Sequence, residues 1–461
     1  MIYDLIIIGG GPAGYFAAER AADAGFHVLL LEERNLGGVC LNEGCIPTKA
    51  LLYSAKTAAS ALHGADFGVM VDGLRIDHKK VLECKNKAVR KLVGGVTAAL
   101  KNRKVEVVRA RGVIKGRTDN GFEVAAEGEI YEGARLLLCT GSEVIIPPIN
   151  GVREALQSGF VLTSREILDL EEVPQRLVIV GGGVIGLELA NYFAVAGSEV
   201  TVIEMLSEVG GAIDADVARI LRGNLEKLGI RFLLETRAGA FESGGVRVQG
   251  LNGEETVSAD KVLLSIGRKP RTEGAGLEAL GLCIEKGAVV TDARMRTNVP
   301  GVWAAGDVNG KLMLAHTAYR EAAVAVNDMA SIANGSAASD AMYYDAVPQI
   351  VYTSPEAAGV GETERTAEAK GYRFDKAVLP LQYSGRYVCE NPSGDGFAKL
   401  LCEKDTGRIL GFHMVGNYAS EIILSAAILI GSKWSKEAAA KIVYPHPTVG
   451  EILRDLLIEL T

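Results

Sequence analysis

Cys40 and Cys45 stand in GGVCLNEGCIPTKALL, residues 37–52, with four residues between them and glycines on either side. Two thiols so spaced can bond to each other, supply half of a metal site or simply be buried. On a regular helix that five-residue step rises about 7.5 Å and turns about 140°, leaving the Cα atoms roughly 8–9 Å apart. A disulfide tolerates about 7 Å. A bond therefore needs a bent segment, which Gly37, Gly38 and Gly44 permit, with Pro47 suited to the first turn of the helix that follows. Cys45 is then expected at that helix's N-terminus, four residues before Lys49, where the helix dipole and an ammonium both favour a thiolate. The other cysteines (Cys84, Cys139, Cys283, Cys389, Cys402) are isolated, and no second C-x-x-C or histidine cluster completes a metal site, so no metal is expected.

A second chemistry is written twice. DLIIIGGGPAGYFAAERAADAGFHVLLLEE from Asp4 resembles RLVIVGGGVIGLELANYFAVAGSEVTVIEM from Arg176, 172 residues later. Each copy reads as a strand, a G-x-G-x-x-G turn (Gly9, Gly11, Gly14; Gly181, Gly183, Gly186), an alanine-rich helix, a second strand and a glutamate. Glu32 and Glu204 each follow the first glycine of their motif by 23 residues. One such motif is weak evidence; two complete strand–helix–strand units with matched acids point to two dinucleotide sites. The glycines let backbone approach a pyrophosphate, the helix N-terminus offers N–H donors, and the acid accepts from a ribose hydroxyl. At Glu204 a 2′-phosphate would meet a carboxylate, and VTVIEML offers no arginine, so NAD is favoured over NADP.

These residues need a large scaffold, and 461 residues exceed what one compact core holds. The expected fold class is α/β, with two Rossmann-like dinucleotide-binding domains and a C-terminal α+β domain. IIPPIN near Pro147, GRKPR near Pro270 and the small polar run NGSAASDA from Asn334 set the boundaries: 1–146 and 269–340 as the two parts of the first nucleotide domain, 147–268 as the second, inserted between them, and 341–461 as an interface domain. Beyond 341, alternating strands (PQIVYTS, FAKLLCE, RILGFHMVG), a buried helix from Glu421 and the amphipathic EILRDLLIEL predict an antiparallel sheet with a pairing surface. A net charge of −8 without basic runs argues against nucleic acid or an anionic membrane as partner. The chain opens on strand and glycine turn with no targeting pattern, and its most apolar stretch is about half a membrane span. A cytoplasmic location is the expectation.

GGVCLNEGCIPTKALL resembles the redox-active stretch of the FAD-dependent pyridine nucleotide-disulfide oxidoreductases, and the likeness runs through LLCTGS at Gly141, SIGRKP at Gly267, VWAAGD at Asp307, LAHTAYREA, YTSPEAAGVG and YPHPTVGE. The resemblance implies that Cys40 and Cys45 form a reversible disulfide and that the enzyme uses FAD and NAD. It implies that Gly9, Gly11, Gly14, Glu32, Gly141, Asp307 and Ala315 serve FAD, and Gly181, Gly183, Gly186, Glu204 and Gly267 serve NAD. Lys49 would lie beside the flavin, paired with Glu188, since such a pair is costly to bury unless mutually satisfied. His446, whose backbone is fixed between Pro445 and Pro447, would be the acid–base, oriented by Glu451 and serving the disulfide of the other subunit of a homodimer. A cis bond before Pro447 is expected. The implied reaction is oxidation of a dihydrolipoyl group on the lipoyl domain of a multienzyme complex. Glutathione reduction or a mainly structural flavoprotein subunit are the rivals. The chain departs from the family pattern at Val39, Gly450, Tyr319 and Arg320.

Overall fold

The computed structural model describes residues 2–251 and 253–461, which divide into two compact units: 1–50, 82–145 and 267–342 in one, and 51–81, 146–266 and 343–461 in the other. The boundary at residue 50 falls inside the long helix Cys45–Leu62.

The first unit is built on a five-stranded parallel sheet. Its order is Val302–Ala304, Leu136–Leu138, Leu5–Ile8, Val28–Leu31 and Glu106–Val108. LIII and VLLL are buried along their whole length, the continuous apolar pattern of a parallel strand covered on both faces. Leu5 pairs with Val28 and Ile8 with Leu31, which ends both strands level with the glycine turn. Strand Val302–Ala304 completes this sheet from far along the chain, pairing parallel with Leu136–Leu138.

The second unit repeats that sheet. Its order is Val161–Leu162, Lys261–Leu264, Arg176–Val180, Glu199–Ile203 and Arg231–Leu233, again all parallel. It also contains the antiparallel sheet of the chain's last part, ordered Gln349–Val351, Ala357–Gly361, Ile409–Val415, Phe397–Glu403 and Phe374–Pro380. Helix Ala419–Gly431 buries Ile423, Ala426 and Ile430 on this sheet, and helix Ile452–Leu460 buries Leu453, Leu456 and Leu457 at helical spacing. Strands Ala357–Gly361 and Phe374–Pro380 were not read from the sequence; the first is AAGVG, too small and glycine-rich to show alternation.

The two chain passages between the expected first and second domains run side by side, Ser142–Val144 antiparallel to Arg268–Pro270. Among the described residues no helix is long and apolar enough to cross a membrane.

Candidate active site

The cysteine segment is bent where the sequence allows it. Helix Gly38–Glu43 stops at Gly44 (φ −150°, ψ −103°), and Cys45 opens the next helix with Pro47 in its first turn. Thr48 Oγ1 donates to Gly44 O at 2.6 Å, holding the break. The Val39 carbonyl oxygen and Cγ1 lie 3.2 and 3.3 Å from where a Cβ on residue 44 would stand, so this departure closes the inside of the bend. Cys40 and Cys45 are free thiols and hydrogen-bonded to each other. That bond, then burial, drives the Cys40 thiol far above its ordinary value, against the pull of Lys49. Cys40 is therefore held in its thiol form, beside Cys45 at the helix N-terminus.

Each glycine turn is the other's copy in detail. Gly9 and Gly181 have φ of 108° and 109°, open to glycine at no steric cost. A Cβ on Gly14 would stand 1.7 Å from Gly9 O, and one on Gly186 2.1 Å from Gly181 O, so helix and strand close tightly there. Gly11 and Gly183 cap the two helices at φ −72° and −75°, values any residue adopts. A Cβ on Gly183 meets nothing within 4 Å, and one on Gly11 meets only Gly38 Cα at 3.9 Å. Open space in front of a helix N-terminus, at a glycine the backbone does not demand, fits a pyrophosphate at both turns. Glu32 Oε2 accepts from Gly10 N at 2.6 Å and Glu204 Oε2 from Gly182 N at 2.7 Å. Their second oxygens accept from Arg34 N and Leu206 N.

The first turn is further enclosed by ion pairs and hydrogen bonds from residues that no sequence motif marks. Glu33 pairs with Arg271, and Arg109 donates to Arg34 O at 2.8 Å and Asn35 Oδ1 at 2.9 Å. Asp307 begins a single helical turn after Gly306, accepts from Ser142 Oγ at 2.5 Å, and Ser142 in turn accepts from Arg268 Nε at 2.7 Å. Burial raises the Asp307 carboxyl, partly countered by Ser142 and Arg268. Fully buried Glu321 accepts from Gly306 N at 2.6 Å. Its position in LAHTAYREA was the available signal, since a carboxylate is buried only where donors meet it. Ala315 opens helix Ala315–Ala333. Gly141 and Gly267 lie at opposite ends of the two-stranded ribbon, Arg271 N bonding Gly141 O and Ile145 N bonding Gly267 O. Two residues before Gly267, Ser265 O lies 2.5 Å from where a Cβ on Gly181 would stand.

In the second unit, His446 and Glu451 are together. His446 Nδ1 is 3.0 and 3.1 Å from the two Glu451 oxygens, in a ring whose side chain is 76% exposed against 5% for the glutamate. Thr448 N and Arg454 Nη1 also donate to Glu451. Burial pushes this carboxyl up, but Thr448, His446 and Arg454 together hold it low. With Nδ1 engaged by a carboxylate, Nε2 faces outward as the exchangeable site. The His446–Pro447 bond is cis, as expected. A Cβ on Gly450 would come no nearer than 3.7 Å to anything, so this departure is not sterically required. Glu188 is buried in helix Val184–Val195 and accepts from Tyr352 N at 3.0 Å, while Lys49 lies one turn along the helix that Cys45 opens.

Residues 3–322 match the profile of the pyridine nucleotide-disulphide oxidoreductases and residues 347–457 that of the family's dimerisation domain. The chain belongs to this family, whose members use FAD and NAD and pair through that domain. It is 39% identical over 462 residues to a dihydrolipoyl dehydrogenase of Thermus scotoductus, covering 98% of this chain and 96% of the relative. It is 36% identical to the mitochondrial dihydrolipoyl dehydrogenase of Pisum sativum, covering 98% and 90%. Among solved structures, LpdA from Mycobacterium tuberculosis superposes with a TM-score of 0.88 at 27% identity, covering 99% of both chains.

Proposed function

We propose that this protein is a dihydrolipoyl dehydrogenase, oxidising the dihydrolipoyl group of a lipoyl domain with NAD as acceptor, and working as a homodimer. The observation that carries this reading is the bent dithiol, with Cys40 and Cys45 hydrogen-bonded across the helix break and Cys45 at a helix N-terminus. FAD, when bound, supplies the two-electron relay and NAD takes up the hydride; Gly9, Gly11, Gly14, Glu32, Gly141, Asp307 and Ala315 would hold the first, and Gly181, Gly183, Gly186, Glu204 and Gly267 the second.

The thiol chemistry belongs to the chain's own residues. His446 Nε2 accepts a proton from one substrate thiol. The thiolate attacks Cys40 Sγ; the Cys40–Cys45 bond breaks and Cys45 leaves as thiolate. The second substrate sulfur, as thiolate, attacks the one bound to Cys40, closing the lipoyl disulfide and releasing Cys40. One substrate proton ends on Cys40 and the other passes through His446 to solvent, so two electrons and one proton stay on the dithiol. Glu451 keeps Nδ1 engaged throughout. Lys49, one turn from Cys45 and paired with Glu188 in this reading, balances the charge left there.

The homodimer reading is supported by the dimerisation-domain match and by apolar side chains left exposed in that region, among them Leu424 and Ile428 one turn apart on helix Ala419–Gly431. In that assembly His446 serves the disulfide of a second copy.

The test is anaerobic addition of dihydrolipoamide to the yellow holoenzyme, followed by NAD. Reduction of the bound flavin and then release of NADH are expected, and Cys45→Ser should keep its flavin while losing at least about a thousandfold in turnover. Full dihydrolipoamide oxidation by that variant would overturn the mechanism. A wild-type flavin reduced by NADH but not by dihydrolipoamide would assign the chain to another disulfide substrate.

A further inference from the structure

Tyr319 is one of the departures from the family pattern, and it does not point into solvent. Its hydroxyl is hydrogen-bonded to that of Tyr15. The rings meet edge to face at 5.9 Å between centroids, and Tyr319 also lies edge-on to Phe16 at 5.3 Å, over which Arg20 stacks at 5.8 Å. Tyr15 is buried and Tyr319 half-buried, so the pair is held rigidly between helices Pro12–Asp23 and Ala315–Ala333.

The helix turn that carries Tyr15 packs against the segment that leads into Cys40. Gly37 N donates to Gly10 O at 2.8 Å, and a Cβ on Gly38 would stand 2.6 Å from Gly11 Cα, so the two segments touch at these glycines. Tyr15 lies one turn beyond Gly11, its amide bonded to Gly11 O at 3.0 Å, and Cys40 lies two residues beyond Gly38. Both phenols interact electrostatically with Cys40, and Tyr319 with Cys45 as well.

Two phenols joined by one hydrogen bond carry two protons, of which that bond uses one. Among the described residues neither hydroxyl has another hydrogen-bond partner. Burial, the largest influence on both, holds the two phenols protonated. The nearby carboxylate of Glu19, which both also sense, is paired with Arg103 at 3.7 Å. With Glu19 so engaged, Cys40 is the other ionisable group near both phenols, and its sulfur becomes charged during exchange.

We propose that Tyr319 and Tyr15 are positioning residues for Cys40, their shared hydroxyl pair donating a hydrogen bond to its sulfur as it departs as a thiolate when the lipoyl disulfide closes. No proton is transferred by the phenols: the bond between Cys40 and the substrate sulfur breaks, its electron pair stays on Cys40, and the pair's free O–H stabilises that charge. Disulfide exchange quickens as the leaving thiol becomes more acidic, so the effect falls on this step. The proposal rests on the thiol-exchange reading given above.

Tyr319→Phe and Tyr15→Phe keep the rings and remove one proton each. In holoenzyme reduced by NADH, the pH midpoint for alkylation of Cys40 by iodoacetamide should rise by about one unit in either variant, the loss of a charge-assisted bond. Reduction of the flavin by dihydrolipoamide should slow about tenfold, while its reduction by NADH stays at the wild-type rate. An unchanged alkylation midpoint would overturn the proposal, and so would equal slowing of both half-reactions with a lower melting temperature, the mark of simple packing. The alkylation arm needs no lipoyl substrate. A wild-type enzyme inert to dihydrolipoamide would therefore overturn the functional reading without disturbing this one.

Discussion

The turn at Gly9 and the turn at Gly181 share more than their motif. In both, the glutamate after the second strand reaches back to the middle glycine of the turn, and the chain then returns through a pair of left-handed glycines. Gly37 and Gly38 have φ of 91° and 55°, Gly210 and Gly211 of 82° and 68°. Gly37 N bonds Gly10 O and Gly210 N bonds Gly182 O, each at 2.8 Å. After those glycines the copies diverge. The first runs directly into Cys40, and its turn is closed in by Gly38, Glu33, Arg271 and Arg109. The second runs to Asp214, which caps helix Ala215–Lys227, and leaves Met205 and Leu206 66% and 57% exposed. One duplicated frame thus carries one turn that is closed in and one that is open, and under the proposed function the first would keep its cofactor and the second would exchange it.

The sharpest way to break this comparison is to fill the two equivalent spaces. Gly11→Val and Gly183→Val both place a side chain where the protein has room, at ordinary φ, so both should fold. Gly11→Val should purify without flavin. Gly183→Val should remain yellow with flavin still reducible by dihydrolipoamide, but its KM for NAD should rise about a hundredfold, the loss of pyrophosphate contacts at one helix N-terminus. Flavin loss from the second variant and not the first would reverse the assignment of the two turns.

The frame itself was legible because it is periodic: two motifs, two glutamates at the same spacing, two runs of apolar strand residues. The copy extends further than the sequence reading took it, through NLGGVC and EVGGAI, whose paired glycines carry the same signal at nearly the same offset. Cys40, Cys45, His446 and Glu451 were legible because their neighbours, Gly44 and Pro47 or Pro445 and Pro447, constrain the backbone locally. Glu321, Ser142, Arg271 and Tyr15 were not, since each acts on a partner more than ten residues away that only the fold brings near.

Where the second copy diverges, it ends in a charge cluster. Lys399, buried on strand Phe397–Glu403, contacts Asp214 at 3.0 Å, Asp216 at 2.7 Å and Glu364 at 2.7 Å. Lys399→Met keeps the length and leaves three carboxylates together, one of them buried. Unfolding stability should fall by roughly 3 kcal/mol at pH 7, the low end for an orphaned buried charge because Asp216 and Glu364 are partly solvated. The hydrogen bond from Lys399 holds the Asp216 carboxyl low; burial raises that of Glu364, but bonds from Lys376 and Lys399 outweigh it. Depressed carboxyls stabilise the wild type fully above their unfolded values, about pH 4, and lose that contribution as pH falls further. In the variant the crowded acids titrate higher and protonation relieves them. The gap between the two proteins should therefore narrow from pH 7 to pH 4 in urea unfolding; a constant gap would show that packing, not charge, sets it.

The smallest effect, and the one that sharpens the contrast most finely, concerns the two glutamates. In each turn the carboxylate already accepts two backbone N–H groups, so it shapes the loop as well as offering an oxygen to a ribose. Glu32→Ala lies at the turn closed in by Glu33, Arg271 and Arg109, and flavin content should stay near one per chain. Glu204→Ala lies at the open turn, where each hydrogen bond to a charged group counts toward an exchanging ligand, and KM for NAD should rise about tenfold. Its carboxylate also repels a 2′-phosphate, so KM for NADP should fall in the same variant and the preference for NAD should narrow from both sides. A rise in both KM values by one factor would mean that Glu204 acts only by folding the loop, and that the choice of NAD is made elsewhere at that turn.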